Sequence, residues 1–191
     1  MEKLFFNGKK AVVTIAHSKL PICEEMICSV MEVEKEVYRP EDRGTLHAIV
    51  NRMNKYPEML ISAQVDEKMV GYLCYFPISE KLYLDIVNDG NYRDDDIQPE
   101  DVVPFSQQTH LFLISAAICP AFQNKGIADY MMQYMNSQIH NKCAQGYAVK
   151  DITTITISPD GEKLAKRYGF RLHFEDNRGY KVFKKILENQ S

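Results

Sequence analysis

The apolar run Leu111-Phe112-Leu113-Ile114-Ser115-Ala116-Ala117-Ile118-Cys119 stops at Pro120, and after a short loop Ile127, Met131, Met135 and Ile139 mark one face of a helix reaching about Asn141. A run this apolar reads as a buried strand, and the helix that follows as the element that packs on it. The chain therefore has to supply a sheet and helices to cover it. With 191 residues it can bury a core of its own without staples.

The remaining elements follow from spacing. Lys10 to Ala16 is β-branched and apolar, a strand. From Pro21, Ile22, Met26, Ile27, Val30, Met31 and Val37 recur at helical spacing, with Glu24, Glu25, Glu32 and Glu34 on the polar side. Leu46, Ile49, Val50 and Met53 make a second helix that Tyr56-Pro57 ends. Met59 to Val65 and Met69 to Phe76 form a hairpin about Asp66-Glu67-Lys68. Ile152 to Ile157 is a strand, Glu162 to Tyr168 a short helix stopped by Gly169, and Phe170 to Phe174 with Tyr180 to Lys184 a closing hairpin about Asn177-Arg178-Gly179. The order βααββ, βα, βα, ββ is an α/β (α+β) pattern. Met131, Met132 and Met135 fit the buried face of their helix better than an adaptable binding surface.

No repeat or linker divides the chain, so residues 1–191 are read as a single domain with an acidic insertion at about 77–107. That insertion, Pro77 to Gln107, holds Asp85, Asp89, Asp94, Asp95, Asp96, Glu100 and Asp101 against Arg93. It reads equally as a functional acidic loop and as a solvated one. The net charge of −3 gives no field for phosphate backbones or anionic lipid, so neither nucleic acid nor a membrane is expected as partner. The uncharged stretch Val102 to Asn124 is interrupted by Ser106-Gln107-Gln108-Thr109-His110 and reads as loop and strand rather than a membrane span. Cys23, Cys28, Cys74, Cys119 and Cys143 show no paired metal-ligand spacing, and no metal is expected. They read as free thiols in a reducing compartment. The first residues offer only Leu4-Phe5-Phe6 as an apolar run, too short for a secretory leader, and a cytoplasmic location is the expectation.

The loop Gln123-Asn124-Lys125-Gly126-Ile127-Ala128 joins the buried strand to its helix. Unpaired amides and the positive end of the helix dipole meet there, which suits an anion such as a diphosphate. Gly126 permits close approach, and Ala128 keeps the first turn slim. Neither G-x-G-x-x-G nor G-x-x-x-x-G-K-[ST] occurs. The segment resembles motif A of the GNAT superfamily of acetyl-CoA-dependent N-acetyltransferases, [QR]-x-x-G-x-[GA], preceded here by Ile118-Cys119-Pro120. The resemblance extends over most of the chain, through the Val70-Gly71-Tyr72 strand to a strand and helix ending in Gly169-Phe170.

That resemblance implies a GNAT-like central mixed, mostly antiparallel sheet of six to seven strands flanked by about four helices. It implies acetyl-CoA as cosubstrate, its diphosphate on the backbone amides of Gln123, Asn124, Lys125, Gly126, Ile127 and Ala128 and its pantetheine arm on the main chain around Ile118. The reaction implied is direct attack of an amine, from a small molecule or a peptide and cationic if the acidic loop faces it, by a monomer or homodimer. The family's motif B tyrosine acid falls on Ala165, and Tyr168 is assigned to packing. His110 is a candidate base, with a surface histidine as the plain alternative, and Ser158 a candidate contact to the thiol end, with a helix N-cap as the alternative. A covalent route through Cys119 has no activating neighbour in the sequence. With Ala165 in place of the acid, a CoA-binding sensor or interaction module without turnover is the alternative function.

Overall fold

The computed structural model describes residues 2–6, 9–17, 24–56, 58, 60–88 and 94–187, with side chains from residue 25 onward, residue 94 excepted. Among them, eight strands are hydrogen-bonded in the order β1-β2-β3-β4-β5-β6-β8-β7: β1 Glu2–Phe6, β2 Lys9–His17, β3 Leu60–Val65, β4 Lys68–Ile78, β5 Thr109–Ile118, β6 Val149–Thr156, β7 Arg171–Glu175 and β8 Lys181–Ile186. The α-helices are α1 Glu24–Val37, α2 Leu46–Lys55, α3 Glu80–Asn88, α4 Ile127–Ala144 and α5 Pro159–Arg167. The chain divides into two compact units, Met1–Cys74 with Ser115–Met135, and Tyr75–Ile114 with Asn136–Ser191.

In the first unit β1 pairs antiparallel with β2, β2 with β3, and β3 with β4. The β3–β4 turn places Asp66 (φ 49°) and Glu67 (φ 66°) in the left-handed region, the twist that matches a two-residue hairpin. Thr45 caps α2, its hydroxyl accepting from the Ala48 N–H at 3.3 Å. Val30 and Val33 of α1, Ile49 and Met53 of α2 and Leu60, Ile61 and Leu73 of the hairpin are buried, as are Ile127, Met131, Met132 and Met135 of α4. The methionines of α4 are therefore core. In the second unit β5 and β6 pair in parallel from Thr109↔Val149 to Leu113↔Thr154, and β6, β8 and β7 follow antiparallel. The α/β class with a mixed, mostly antiparallel sheet is as the sequence implied. Among the described residues no helix is long and apolar enough to cross a membrane.

Three details depart from the sequence reading. β1 adds a strand that five residues with a short apolar run did not signal. Glu34, expected on the polar face of α1, is only 4% exposed. The acidic insertion is not an open loop: Leu82, Tyr83, Ile86 and Val87 bury one face of α3. Ser79 starts α3, its hydroxyl accepting from Leu82 N–H at 3.2 Å, and Val102 bridges to Ile78. Asp101 accepts from Gln98 N–H at 3.0 Å and from the Ser79 hydroxyl at 3.2 Å, so part of the acidic character holds turns together. Asp89, Gly90 and Arg93 lie outside the described residues, as do the Pro21 to Cys23 start of the first helix, Pro57 and Met59.

Candidate active site

The end of β5 lies against β4, the Cys119 N–H donating to the Val70 carbonyl at 2.9 Å. Gly71 makes this approach possible, because a Cβ there would sit 2.6 Å from Ile118 Cδ1 and 2.7 Å from the Ala117 carbonyl oxygen. Pro120 then opens one 3-10 turn, Pro120–Phe122, whose closing bonds are Phe122 N–H to Cys119 O at 2.8 Å and Gln123 N–H to Pro120 O at 3.3 Å. Gln123 reaches back and donates from Nε2 to the Ile118 carbonyl at 3.0 Å, tying the loop to the strand. Asn124 (φ 59°) and Gly126 (φ 80°) are both left-handed. Asparagine tolerates that region better than most residues, so position 124 does not require glycine.

The first hydrogen bond of α4 runs from Tyr130 N–H to the Gly126 carbonyl at 3.1 Å. The amides of Ile127 and Ala128 therefore precede any acceptor inside the helix. Among the described residues a Cβ on Gly126 would meet only Tyr130 Cε2, at 3.8 Å, within 4 Å of it, so there is space above the loop that any other side chain would fill. Left-handed residues at 124 and 126, ahead of a helix start with unpaired amides, suit the loop to an anion. Ile118 and residues 123–128 are thus brought together in the first unit.

The same unit holds a polar network that the sequence did not reveal. Along β5 the burial of an interior strand is relieved only at Ile114, Ser115 and Ala116, which are half-buried. From Ser115 a chain of hydroxyls runs inward. The Ser115 hydroxyl donates to the Tyr72 hydroxyl at 3.0 Å, and Tyr72 donates to Glu34 Oε1 at 2.6 Å. Tyr38 Oη lies 2.7 Å from Ser115 Oγ. Because the serine's one proton is already given to Tyr72, Tyr38 is the donor in that contact. Glu34 Oε2 accepts from Gly44 N–H at 2.9 Å. Burial raises the Glu34 pKa above its ordinary value, against the hydrogen bonds from Tyr72 and Gly44 and the charges of Arg52 and Arg43. Burial likewise drives Tyr72 well up.

His110 and Ser158 fall in the second unit. His110 is buried rather than on the surface: Nδ1 lies 2.9 Å from Asp151 Oδ1, and its ring stacks on Tyr83 with centroids 3.8 Å apart. Nε2 lies 3.0 Å from Glu80 Oε2 without the alignment of a hydrogen bond. Lys184 stands 3.1 Å from Asp151 Oδ2 and donates to the Tyr83 hydroxyl. Burial alone would lower the Lys184 pKa, but Tyr83 and Asp151 outweigh it and the net shift is upward. Ser158 caps α5, accepting from Gly161 N–H at 3.1 Å. Ala165 is buried, and Tyr168 ends the helix half-buried before left-handed Gly169 (φ 82°).

Cys119 is buried, and its thiol is pushed up to about 11, first by that burial and then by the Glu36 carboxylate. Near neutral pH it is a thiol and not a nucleophilic thiolate. Cys74 is buried too, whereas Cys28 and Cys143 are exposed; among the described residues none of the four is joined in a disulfide. Cys23 lies outside the described residues. Among the described residues no group of three or more His, Cys, Asp or Glu is placed to hold a metal ion.

The profile of the Acetyltransferase (GNAT) family matches residues 25–170, and the chain belongs to that family. Solved structures show the same fold at low identity. The loading GNATL domain of CurA from Lyngbya majuscula superposes with a TM-score of 0.65 at 15% identity, covering 91% of this chain and 96% of its own. The NatC complex bound to Gag peptide and CoA gives 0.64 at 12%, covering 92% and 99%. A mosquito arylalkylamine N-acetyltransferase like 5b gives 0.58 at 14%, covering 92% and 100%. No curated protein matches the sequence.

Proposed function

We propose that this acetyltransferase moves the acetyl group of acetyl-CoA to an amine acceptor by direct attack, as one domain whose family match runs through both compact units. The observation that carries the reading is the loop after β5, where left-handed Asn124 and Gly126 turn the backbone ahead of α4 and leave open space above it. In this reading the amides of Gln123, Asn124, Lys125, Gly126, Ile127 and Ala128 hold the diphosphate, and the main chain at Ile118 holds the pantetheine arm. The fit is chemical as well as spatial, since a doubly charged anion gains charge-assisted hydrogen bonds from donors that the helix cannot satisfy.

The acceptor class is supported by two neighbours of the same fold, the NatC complex bound to Gag peptide and CoA and the mosquito arylalkylamine N-acetyltransferase like 5b. Cys119 stays outside the chemistry because its thiol is held near 11. Ser158 serves as the cap of α5, and His110 as a member of the buried cluster with Tyr83, Asp151 and Lys184. The bond-making role left to the protein is positioning, which turns a bimolecular encounter into an effectively intramolecular one.

Two measurements test this. Calorimetry with CoA should show binding that Gly126→Asp abolishes. Acetyl-CoA incubated with spermidine, tryptamine or a tetrapeptide with a free amino terminus should release free thiol with at least one of them. Binding without thiol release would make the chain a sensor of acetyl-CoA, and binding unaffected by Gly126→Asp would remove the loop from the site.

A further inference from the structure

We infer that Lys185 of β8 is a modification site, a lysine that acetyl thioesters acylate directly, without the proposed transfer site. Its first support is the strand register. Lys185 stands opposite Ile152 of β6, which in turn stands opposite Leu111 of β5. Opposed residues share a sheet face, and both of these are 0% exposed, so the lysine stem lies at the end of an apolar row. The turn after α5 closes on the same side chain: a Cβ on Gly169 would lie 4.0 Å from Lys185 Cε. Lys185 is half-buried there, its stem covering apolar surface and its head left near the rim.

The second support is the lack of a partner. The other lysines of β8 are tied down. Lys181 donates to Glu162 Oε2 at 2.7 Å, and Lys184 lies 3.1 Å from Asp151 Oδ2 and donates to the Tyr83 hydroxyl. Lys81 on α3 is held in the same way by Asp85, at 2.8 Å. Lys185 makes no hydrogen bond or ion pair among the described residues. Hydrogen bonds to Asp85 and Glu162 push Lys81 and Lys181 up and keep their lone pairs out of use, whereas burial alone pushes Lys185 down. No charge from β6, β7 or α5 adds to that shift. The head is not sealed off either: among the described residues only Arg52 Nε and His110 Nε2 are buried side-chain polar atoms without a partner. A neutral, nucleophilic amine that water and a reagent can reach is the result.

The step balances as follows. Lys185 first loses a proton to solvent. The lone pair of Nζ attacks the thioester carbonyl of acetyl-CoA, the nitrogen–carbon bond forms, and the carbon–sulfur bond breaks with the sulfur keeping the pair. One proton leaves nitrogen and reaches the thiolate through water, giving an acetylated lysine and free CoA. The product is an uncharged amide, so the cost of holding an unpaired cation beside the apolar row is removed.

The test uses the full chain with excess acetyl-CoA, hydroxylamine to clear acetyl groups from thiols, and peptide mass spectrometry to follow each lysine in time. At about pH 8 Lys185 should be acetylated about tenfold or more faster than Lys81 and Lys181, because each unit between two pKa values is tenfold in free amine. Gly126→Asp should leave that rate unchanged. Unfolding reads the same physics without reagent. Lys185→Met keeps an unbranched stem and removes the charge, and should raise Tm at pH 7 by about 2 °C. The charged side chain costs stability below its ordinary pKa of 10.5, so the gain should fade as pH rises toward that value and the parent sheds its charge. Lys185→Arg keeps the charge and should show no gain.

Acetylation of Lys185 no faster than that of Lys81 and Lys181 would overturn the assignment, as would a Lys185→Met variant no more stable than the parent at pH 7. Loss of the label in Gly126→Asp would overturn the direct route, since the acetyl group would then come through the chain's own transfer site. A parent that labels at Lys185 but binds no CoA in calorimetry would bring down the acetyl-transfer reading and leave this site standing.

Discussion

Gly126→Ala separates the loop's conformation from the loop's ligand. At φ 80° an alanine is left-handed, and among the described residues the only atom a Cβ would approach within 4 Å is Tyr130 Cε2, at 3.8 Å. No clash adds to the strain, so the cost to the fold is the left-handed penalty alone, roughly 1–2 kcal/mol. For a chain of this size each kcal/mol lowers Tm by about 2–4 °C, so the expected fall is about 2–8 °C, measured without ligand because bound CoA would mask it. Gly179 is the matched control: its φ is 81°, and among the described residues a Cβ there would meet only Glu175 Oε1, at 4.0 Å. Gly179→Ala should show the same fall in Tm. The two variants should differ in calorimetry with CoA. If two amide bonds to the diphosphate are lost at Gly126, at about 1.5–3 kcal/mol each for bonds to a charged group, affinity falls on the order of a hundredfold or more. Gly179→Ala should bind like the parent. Equal Tm losses with equal, near-parental affinities would refute the assignment of the diphosphate to this loop, since the strain would then have been introduced without touching the ligand.

Gly71→Ala should destabilise by about 1–3 kcal/mol in urea unfolding and weaken CoA binding, because its Cβ meets the Ala117 carbonyl at 2.7 Å and backbone cannot yield as a side chain can. Glu162 is held down to about 2 by hydrogen bonds from Lys166 and Lys181, the latter on β8. A carboxylate depressed in the fold stabilises above its ordinary pKa near 4.5 and loses that contribution as pH falls toward about 2, so Tm of the parent should drop over this window more than Tm of Glu162→Gln, and salt should shrink the difference. Cys119→Ala should keep the acetyl-transfer rate within about threefold of the parent, a thiol near 11 having no part in the chemistry; a loss on the scale of a nucleophile would restore the covalent route.

Where the fold depends on local pattern, it could be read from the residues. Ile127, Met131, Met135 and Ile139 are all buried on α4, as their spacing requires. Asp66-Glu67 supplies the left-handed turn between β3 and β4. Helix α3 is hidden by its company: the acidic residues from Asp85 to Asp101 draw attention to charge, while Leu82, Tyr83, Ile86 and Val87 lie at helical spacing in the same stretch. His110 illustrates the opposite error. A histidine before an apolar strand looks exposed, but Asp151, forty-one positions away, and Tyr83 enclose it.

The candidate site divides along the same line, for a physical reason. An anion held by main-chain amides needs particular backbone angles, and these leave a trace in the few residues able to adopt them, here Asn124 and Gly126. A hydrogen-bond network built from side chains needs only that its members meet in space. Glu34 joins Tyr72 across thirty-eight positions, and Tyr38 joins Ser115 across seventy-seven. No local spacing encodes such a meeting, and helical periodicity misreads Glu34 as solvent-facing. The single local trace is Ser115, the one hydroxyl in the run from Leu111 to Cys119. A hydroxyl inside an interior strand costs free energy unless it is bonded, so its presence there demands a partner and, through Tyr72, leads to the buried carboxylate.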